Sequence, residues 1–380
     1  FYPGGEPLKA GDLLKNPEYA NTLTRVAEEG ISAFYAGEIA ETIVAAAQAE
    51  PNGGALTLED MANYRVMKRP VICGAFRDMQ ICTSSPPSSG GAQIMIAGLY
   101  DHLATNAANQ ADRVAAFVDA QRLAYADRDH YFGDPDEIDI PLDDLLDPQY
   151  LKHRATERFE PGAVPTPGDP GLVLHQDSAA ALWAPDTTEE AAGTTHLSII
   201  DGDGNAVSMT ATVEAPFGSQ RWAAGFVLNN EMTDFAREVP ADGSRPANAI
   251  APGRRPRSSM SPSMIFDSEG DIVMVTGSPG GNSIPAYVAK TIVAVLDWGM
   301  SAQEAVDHPN IVARGEMVRV EISADPGQAI ADDLTARGYN VQEREGENSG
   351  LHIIVVREGS LDGAADKRRE GIVRELRLTQ

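Results

Sequence analysis

The sequence has few cysteines, a shortage of basic residues and no long apolar run. Of its 380 residues only two are cysteine, and 30 Lys and Arg stand against 56 Asp and Glu, which gives a formal charge of −26 at pH 7. Such an acidic chain argues against binding to nucleic acid or to an anionic membrane, because both carry the same sign of charge. No apolar run approaches the roughly 20 residues that a membrane-spanning helix needs. The composition indicates a globular protein of one large domain or two smaller ones.

Several common catalytic motifs are also missing. The chain has no Gly-x-Ser-x-Gly turn and no His-Glu-x-x-His motif, and its seven histidines are scattered. The stretch 201–205 resembles part of a calcium loop but lacks the glutamate that closes one, so we expect a hairpin turn there. The Gly277–Gly281 stretch is not followed by Lys-Ser or Lys-Thr, which excludes a nucleotide P-loop. We expect neither a metal ion nor a cofactor.

The two cysteines, Cys73 and Cys82, flank a stretch centred on Arg77 and Asp78. A hairpin at that centre would set the two thiols opposite each other, and either a disulfide or two half-buried thiols would fit. The residues alone therefore leave the compartment open. No signal peptide is visible, and because the chain opens at Phe1 rather than Met, we expect that an upstream segment is missing.

The most informative stretch begins at Thr194. Residues 157–193 are rich in Pro, Gly, Asp and Thr, which predicts an exposed connection that can be cut. Polar and apolar residues then alternate on both sides of a turn at Asp203-Gly204, so a hairpin is predicted to hold Thr194 at the open end of its first strand. A threonine hydroxyl needs a base, and cleavage of the Gly193–Thr194 bond would free an α-amine that can serve. The alternative is a plain hairpin with surface threonines.

Helix and strand patterns alternate through the rest of the chain. Helices are predicted within 16–50, after a cap at 57–60, and at 93–103, 111–130, 284–298, 302–307 and 326–337. Strands are predicted at 70–83 (the cysteine hairpin), 225–230, 263–266, 271–276, 317–322, 340–345 and 351–357. Strand pairs between helices indicate a layered α/β sandwich rather than a doubly wound sheet.

Three groups of residues suit an acyl-transfer site. The Gly277–Gly281 turn lies between a strand and a helix, where backbone N–H groups converge and can hold an oxyanion. Glu231 and Asp234 could bind an ammonium group, and Ser258 with Ser259 could bind a carboxylate. Taken one at a time, these residues are equally consistent with a structural turn and with solvated side chains.

Together, these residues resemble the γ-glutamyltransferase (γ-glutamyltranspeptidase) family of N-terminal-nucleophile hydrolases, closest in pattern to its divergent bacterial branch. The match runs from the first residues to about Asn310 and continues more weakly to the end. Its most specific points are 34–40, 86–91, 126–128, 194–196, 217–219, 228–232, 257–262 and 277–281.

The resemblance implies a four-layer αββα sandwich that cuts itself before Thr194. Residues 1–193 would form the C-terminal part of a large subunit and 194–380 an interlocked small subunit. The roles that it implies are Thr194 as nucleophile, Thr212 as its supporting hydroxyl, Gly280 and Gly281 as the oxyanion hole, Glu231 and Asp234 as ligands of the substrate α-ammonium, and Ser258 and Ser259 as ligands of its α-carboxylate.

Three differences from the family pattern bear on the substrate. The arginine that normally pairs with the α-carboxylate has no counterpart here, Glu214 replaces an asparagine that helps to bind the substrate, and the segment between Asp234 and Ser258 is shorter than in members with a lid loop. The expected reaction is transfer of a γ-glutamyl group from glutathione or a similar amide to water or an amino-acid acceptor. Glutaryl acylase activity and an uncleaved, inactive scaffold are the alternatives. The family implies a periplasmic or secreted location, and a cytoplasmic one stays open.

Overall fold

The computed structural model describes residues 2–157, 159–178, 183–184, 186–238, 240–241 and 243–376. They fall into two units: the smaller takes residues up to Lys68 together with Ala215–Asn230, and the larger takes Arg69–Glu214 and Glu231 onward. Each unit therefore contains residues from both sides of Gly193–Thr194. The division into two subunits requires cleavage of that bond and stays a prediction.

The described residues form twelve α-helices, three short 3-10 helices and thirteen strands. The helices are α1 Pro17–Glu29, α2 Ser32–Tyr35, α3 Glu38–Gln48, α4 Leu58–Asn63, α5 Gly90–Leu103, α6 Gln110–Tyr131, α7 Leu142–Leu145, α8 Pro148–Arg154, α9 Pro170–His175, α10 Ile284–Leu296, α11 Ala302–Asp307 and α12 Gly327–Ala336. The strands are β1 Val71–Phe76, β2 Met79–Ser84, β3 Thr195–Ile200, β4 Ala206–Ala211, β5 Trp222–Ala223, β6 Phe226–Val227, β7 Ser263–Phe266, β8 Ile272–Gly277, β9 Ile311–Arg314, β10 Met317–Glu321, β11 Asn340–Arg344, β12 His352–Arg357 and β13 Ser360–Ala365. Among these helices, none is long and apolar enough to cross a membrane.

The smaller unit is built on helices α1 to α4 and the short β5–β6 hairpin. The predicted cap at 57–60 is confirmed, because the Thr57 side chain accepts a hydrogen bond from the Asp60 backbone while the Asp60 carboxylate accepts one from the Thr57 backbone. Ile39, Ile43 and Met61 pack with Ala223 in a small apolar core. The strand predicted at 225–230 is shortened to β6.

The larger unit contains a six-stranded antiparallel sheet in the order β1-β2-β7-β8-β12-β13. On one face, the Thr276 hydroxyl of β8 hydrogen-bonds Thr291 of α10. On the other face, the β3–β4 hairpin is held by the Ser208 hydroxyl, which donates to the carbonyl of Thr276 at 2.9 Å, and by Ser198, which donates to that of His352 at 3.0 Å. The predicted α/β sandwich is thus confirmed. A three-stranded sheet, β11-β10-β9, packs separately with α6 and α12.

The hairpin approaches the sheet closely at Gly277. A Cβ atom on this glycine would lie 2.2 Å from the His196 ring, so only glycine lets β3 reach β8 at this point. This close approach fixes the start of β3, and with it Thr194, against the middle of the sheet.

The cysteine hairpin forms as predicted, with Cys73 opposite Cys82 in the β1–β2 register and Arg77 at positive φ in its turn. Of the two alternatives that the spacing allowed, the structure contains the disulfide.

The prediction of an exposed connection over 157–193 is partly wrong. Residues 158, 179–182 and 185 lie outside the described residues, and α9 interrupts the remainder. From Asp186 onward, burial alternates: Asp186 and Thr188 are buried, whereas Glu189 and Ala191 are exposed. One face of this segment lies against the protein, because Asp186 and Glu190 form ion pairs with the buried Arg257 and Arg128.

Candidate active site

Thr194 directly precedes β3 and is buried, with 5% of its surface exposed. Because Thr195 pairs with Ala211 in the β3–β4 register, Thr194 comes to lie across from Thr212. The Thr194 hydroxyl donates to Thr212 Oγ1 at 3.2 Å, and the backbone N–H of Glu214 donates to the same oxygen at 2.8 Å. The hairpin thus places the two threonine hydroxyls in contact, as a nucleophile and a supporting hydroxyl require.

The sequence predicted ten site residues, and eight of them line one cavity of about 10 Å³. Those eight are Thr194, Thr212, Glu214, Glu231, Asp234, Ser258, Ser259 and Gly281. The other two, Gly193 and Gly280, are the chain neighbours of Thr194 and Gly281. Elements far apart in the sequence therefore bring the predicted residues to a single place.

Gly280 and Gly281 form the turn between β8 and α10, with φ of 142° and 55°. Both φ values lie in the region that favours glycine. A Cβ atom on Gly281 would lie 2.4 Å from the carbonyl oxygen of Glu190, and one on Gly280 would lie 2.5 Å from the Tyr287 ring. The turn therefore packs directly against Glu190 and Ala191, which lie a few residues before Thr194.

Glu214, Glu231 and Asp234 form an acidic cluster within the cavity. Burial, followed by the charges of Glu214 and Glu190, raises the pKa of Glu231 to about 7. Burial, with the charges of Glu190, Glu231 and Glu214 in that order, raises the pKa of Asp234 to about 9. The Asp234 Oδ1 atom is buried and accepts no hydrogen bond among the described residues. This arrangement is suited to a cationic group.

We expect this cluster to make the uncut chain less stable as the pH rises. The folded-state pKa values of Glu231 and Asp234 lie above those of an unfolded chain, so the folded protein holds their protons more tightly, and stability is lost as the pH rises from the unfolded values of about 4 up to the folded values of about 7 and 9. In uncleaved Thr194→Ala protein, the free energy of unfolding should fall by roughly 4 kcal/mol between pH 6 and 8.

Chemical denaturation at the two pH values measures this fall. Asp234→Asn in the same background should remove much of it, whereas Glu269→Gln, at an exposed turn, should not. If the free energy of unfolding falls equally with and without Asp234→Asn, the pH dependence does not come from Asp234.

Ser258 and Ser259 lie beside a buried arginine rather than alone. Arg128 donates from Nη2 to Ser259 Oγ at 2.5 Å and from Nε to Ser89 Oγ at 3.0 Å. The Ser258 hydroxyl accepts a hydrogen bond from the Met260 backbone N–H at 3.3 Å. The sequence drew attention to 126–128 and 257–262 but gave Arg128 no role, because nothing local indicates that α6 delivers it to the serines.

Arg369 is a second residue that the sequence did not indicate. Its guanidinium donates to the carbonyl of Thr194 at 3.0 Å and to that of Ala192 at 2.9 Å. These carbonyls lie on either side of Gly193, so Arg369 holds the predicted cleavage point from both ends. It lies beside a groove of about 440 Å³ that reaches Thr194 from the side of β12.

Arg369→Gln should therefore slow cleavage at least tenfold, because small errors in orientation cost large factors in rate. A time course by intact mass spectrometry measures the rate. Lys367→Gln, at an exposed neighbour, is the matched control and should cleave normally. Equal rates for the two variants would show that Arg369 does not orient this bond.

Comparison with known proteins agrees with this fold. The family model for gamma-glutamyltranspeptidase matches residues 1–376. The chain is 35% identical to the glutathione hydrolase proenzyme of Escherichia coli K12 over 97% of its own length and 63% of that protein. It is 33% identical to the acylase ACY 1 proenzyme of Pseudomonas sp. SE83 over 97% of its length and 62% of that protein.

Among solved structures, cephalosporin acylase from Bacillus halodurans superposes with a TM-score of 0.83 at 25% identity, covering 99% of this chain and 66% of that one. An α/β sandwich with a threonine at the start of an inner strand defines the class of N-terminal-nucleophile hydrolases. Within that class, the chain belongs to the gamma-glutamyltranspeptidase family. It spans less than two thirds of the length of these relatives.

Proposed function

We propose that the protein cuts itself before Thr194 and then transfers γ-glutamyl groups from glutathione or similar amides to water or to an amino-acid acceptor. One observation carries this proposal: the cavity beside Thr194 has three carboxylates on one side and Ser259 with Arg128 on the other. An α-amino acid carries an ammonium and a carboxylate on one carbon, so these two sides suit its two charged groups.

Self-cleavage would use the same hydroxyl as catalysis. Thr194 Oγ1 attacks the carbonyl carbon of Gly193, the bond from that carbon to the Thr194 nitrogen breaks, and the nitrogen takes up a proton. Water then opens the resulting ester, which leaves a carboxylate on Gly193 and a free amine on Thr194. Glycine at 193 leaves room for the strained approach.

In the transfer reaction, the Thr194 hydroxyl attacks the γ-carbonyl carbon of the substrate. The new α-amine takes the hydroxyl proton, and Thr212 holds the hydroxyl in place. The negative charge on the carbonyl oxygen would be stabilised at the Gly280-Gly281 turn. The leaving amine departs with a proton, and water or an amino-acid acceptor then releases the glutamyl group from Thr194.

Glutaryl acylase activity is the second candidate, because the relatives of this chain include an acylase proenzyme and a cephalosporin acylase. A glutaryl group carries no α-ammonium, so it would leave Glu231 and Asp234 buried without a cation, which is unfavourable. The acidic cluster therefore favours a γ-glutamyl substrate. An uncleaved scaffold is less well supported, since the residues for cleavage and transfer occur together.

The test compares kcat/KM for γ-glutamyl anilide and for glutaryl anilide on the cleaved protein. We expect the γ-glutamyl compound to be preferred at least tenfold, which corresponds to about 1.4 kcal/mol of transition-state binding. A tenfold preference for the glutaryl compound would overturn the substrate assignment and leave Thr194 as the nucleophile.

We also propose that the two pieces stay together after cleavage and that the protein acts outside the cytoplasm. The Cys73–Cys82 disulfide supports the second part, since disulfides persist in oxidising compartments. Co-elution of the two pieces in size-exclusion chromatography tests whether they stay together. Fractionation of cells of the native host tests where the protein is located.

A further inference from the structure

The Gly280-Gly281 turn rests on the ring of Tyr287, which lies in the first half of α10. A Cβ atom on Gly280 would lie 2.5 Å from Cε2 and 2.9 Å from Cδ2 of that ring, so the ring packs directly against the backbone of the turn. Tyr287 is 1% exposed. Gly280 has a φ of 142°, and glycine has little conformational preference of its own, so the path of its backbone depends on what packs against it. The position of the ring therefore sets that of the turn.

An ion pair holds the Tyr287 hydroxyl. The hydroxyl donates to Glu347 Oε2, and Arg319 donates from Nε to Glu347 Oε1 at 3.0 Å. The Glu347 side chain is 7% exposed and that of Arg319 is 26% exposed. Burial, followed by the charge of Glu347, raises the pKa of Tyr287, so the phenol stays protonated and remains a donor. Because a hydrogen bond to a charged acceptor is stronger than one between neutral groups, Glu347 fixes the outer end of the ring.

Arg319 also reaches the other end of the turn. Its Nη2 atom donates to Ser283 Oγ at 2.5 Å, and Ser283 directly precedes α10. The backbone from Gly280 to Ser283 is thus supported by the Tyr287 ring at its start and by Arg319 at its end. Arg319 lies on β10 and so connects the separate three-stranded sheet to the site.

The connection between β11 and β12 joins this support to Thr194. The carbonyl of Asn348, the residue after Glu347, accepts a hydrogen bond from Arg369 Nη2 at 3.0 Å, and Arg369 Nη1 donates to the Thr194 carbonyl at 3.0 Å. Two adjacent residues of one short connection therefore lie one side chain away from the glycine turn and from Thr194. The Thr194 carbonyl is bonded to Thr195, so this link persists after the chain is cut.

We propose that Glu347 is a positioning residue that holds the Gly280-Gly281 turn at a fixed distance from Thr194. This inference rests on the proposed function, in which the attacking hydroxyl and the oxyanion site must meet at one carbonyl group of the substrate. The two come from separate elements, since Thr194 precedes β3 and the turn follows β8. A small shift between them costs transition-state stabilisation and leaves the contacts to the charged ends of the substrate unchanged. Loss of this support therefore lowers kcat and not the affinity for the substrate.

The test measures kcat and KM for γ-glutamyl anilide on cleaved Tyr287→Phe protein. The substitution keeps the ring against Gly280 and removes only the hydroxyl that Glu347 holds. We expect kcat to fall at least tenfold and KM to stay within twofold, because misplacement of the turn affects the transition state alone. A kcat within twofold of the unchanged enzyme would overturn the proposal.

Tyr339→Phe is the matched control. The Tyr339 hydroxyl donates to the Asp119 carboxylate at 2.9 Å, and this pair lies beside the core that α6 shares with the three-stranded sheet. The control loses the same kind of hydrogen bond, so it should lose stability while kcat stays within twofold. An equal fall in kcat for Tyr287→Phe and Tyr339→Phe would show a general structural effect and overturn the proposal.

Glu347→Gln tests the carboxylate itself. It keeps the size of the side chain but loses the charge that pairs with Arg319, so kcat should fall at least fivefold. In the double variant with Tyr287→Phe, kcat should fall no further than in the more affected single variant, because both substitutions break one chain of contacts. A fall equal to the product of the two single effects would overturn the proposal. Glu345→Gln, at an exposed position of the same connection, should leave kcat unchanged.

A boronic acid analogue of glutamate distinguishes positioning from a folding defect. With boron in place of the γ-carboxyl carbon, it forms a tetrahedral adduct with the Thr194 hydroxyl and so resembles the transition state, whereas L-glutamate resembles the ground state. Tyr287→Phe should weaken binding of the boronate at least tenfold and that of L-glutamate less than twofold. Equal losses for the two ligands would overturn the proposal.

The same variants separate this inference from the proposed function. Any acyl group on Thr194 needs the glycine turn, so kcat for glutaryl anilide should fall by the same factor in Tyr287→Phe, and boronate binding does not depend on turnover. A cleaved protein that ignores γ-glutamyl anilide but shows these losses would refute the proposed function and leave the role of Glu347 in place.

Discussion

Thr194→Ala is expected to leave the chain in one piece and to abolish acyl transfer. The variant lacks the hydroxyl that attacks Gly193, and without cleavage no α-amine is released to act as a base. We expect a loss of at least 10³-fold in cleavage rate and in activity, in the range seen when a covalent nucleophile is removed. Intact mass spectrometry after prolonged incubation shows whether a piece that ends at Gly193 appears.

The neighbouring residue provides a matched control. Thr195 has the same side chain but is exposed, because β3 turns it away from Thr212. Thr195→Ala should cleave and turn over substrate at close to the unchanged rate, and Thr194→Ser should keep measurable cleavage because it retains a hydroxyl. Cleavage of the Thr194→Ala chain at the same bond would remove Thr194 as the nucleophile.

Much of the fold follows from local patterns. Alternation on both sides of Asp203-Gly204 predicts β3 and β4, and their register alone places Thr194 across from Thr212. Caps and turn residues likewise predict α4 and the cysteine hairpin. The strands β9 and β13 were not predicted. Ser360–Ala365 in particular is polar and small, and it is a strand because β12 pairs with it rather than through its own propensity.

Long-range contacts limit how much of the site can be predicted from the sequence. The acidic cluster and the glycine turn could be proposed because each occupies a short stretch with recognisable chemistry. Arg128 and Glu190 lie 62 residues apart, and Arg369 lies 175 residues from Thr194, so no local pattern links them. The same contacts explain why the segment before Thr194 is half-buried, although its composition is typical of an exposed loop.

Asp234→Asn should have the largest effect on the choice of substrate. Asp234 is 4% exposed and lies among Glu190, Glu214 and Glu231, so in a cavity without a cation it gives up its proton only at a cost to folding. An α-ammonium in the cavity would compensate for that charge. Loss of one partner of a buried charge pair costs about 2–5 kcal/mol, so KM for γ-glutamyl anilide should rise roughly 100-fold or more.

Glutaryl anilide serves as the comparison substrate. It has no ammonium group, so it makes no contact with Asp234 that the substitution could remove. We expect Asp234→Asn to leave kcat/KM for glutaryl anilide unchanged or higher, so the preference for γ-glutamyl over glutaryl should fall at least 100-fold. Asp203→Asn, in the exposed turn between β3 and β4, is the control and should alter neither value. Steady-state kinetics of the three proteins on the two anilides give the result. A KM for γ-glutamyl anilide within threefold of the unchanged enzyme would mean that the ammonium binds elsewhere, because a buried carboxylate in contact with it cannot be neutralised without loss of affinity.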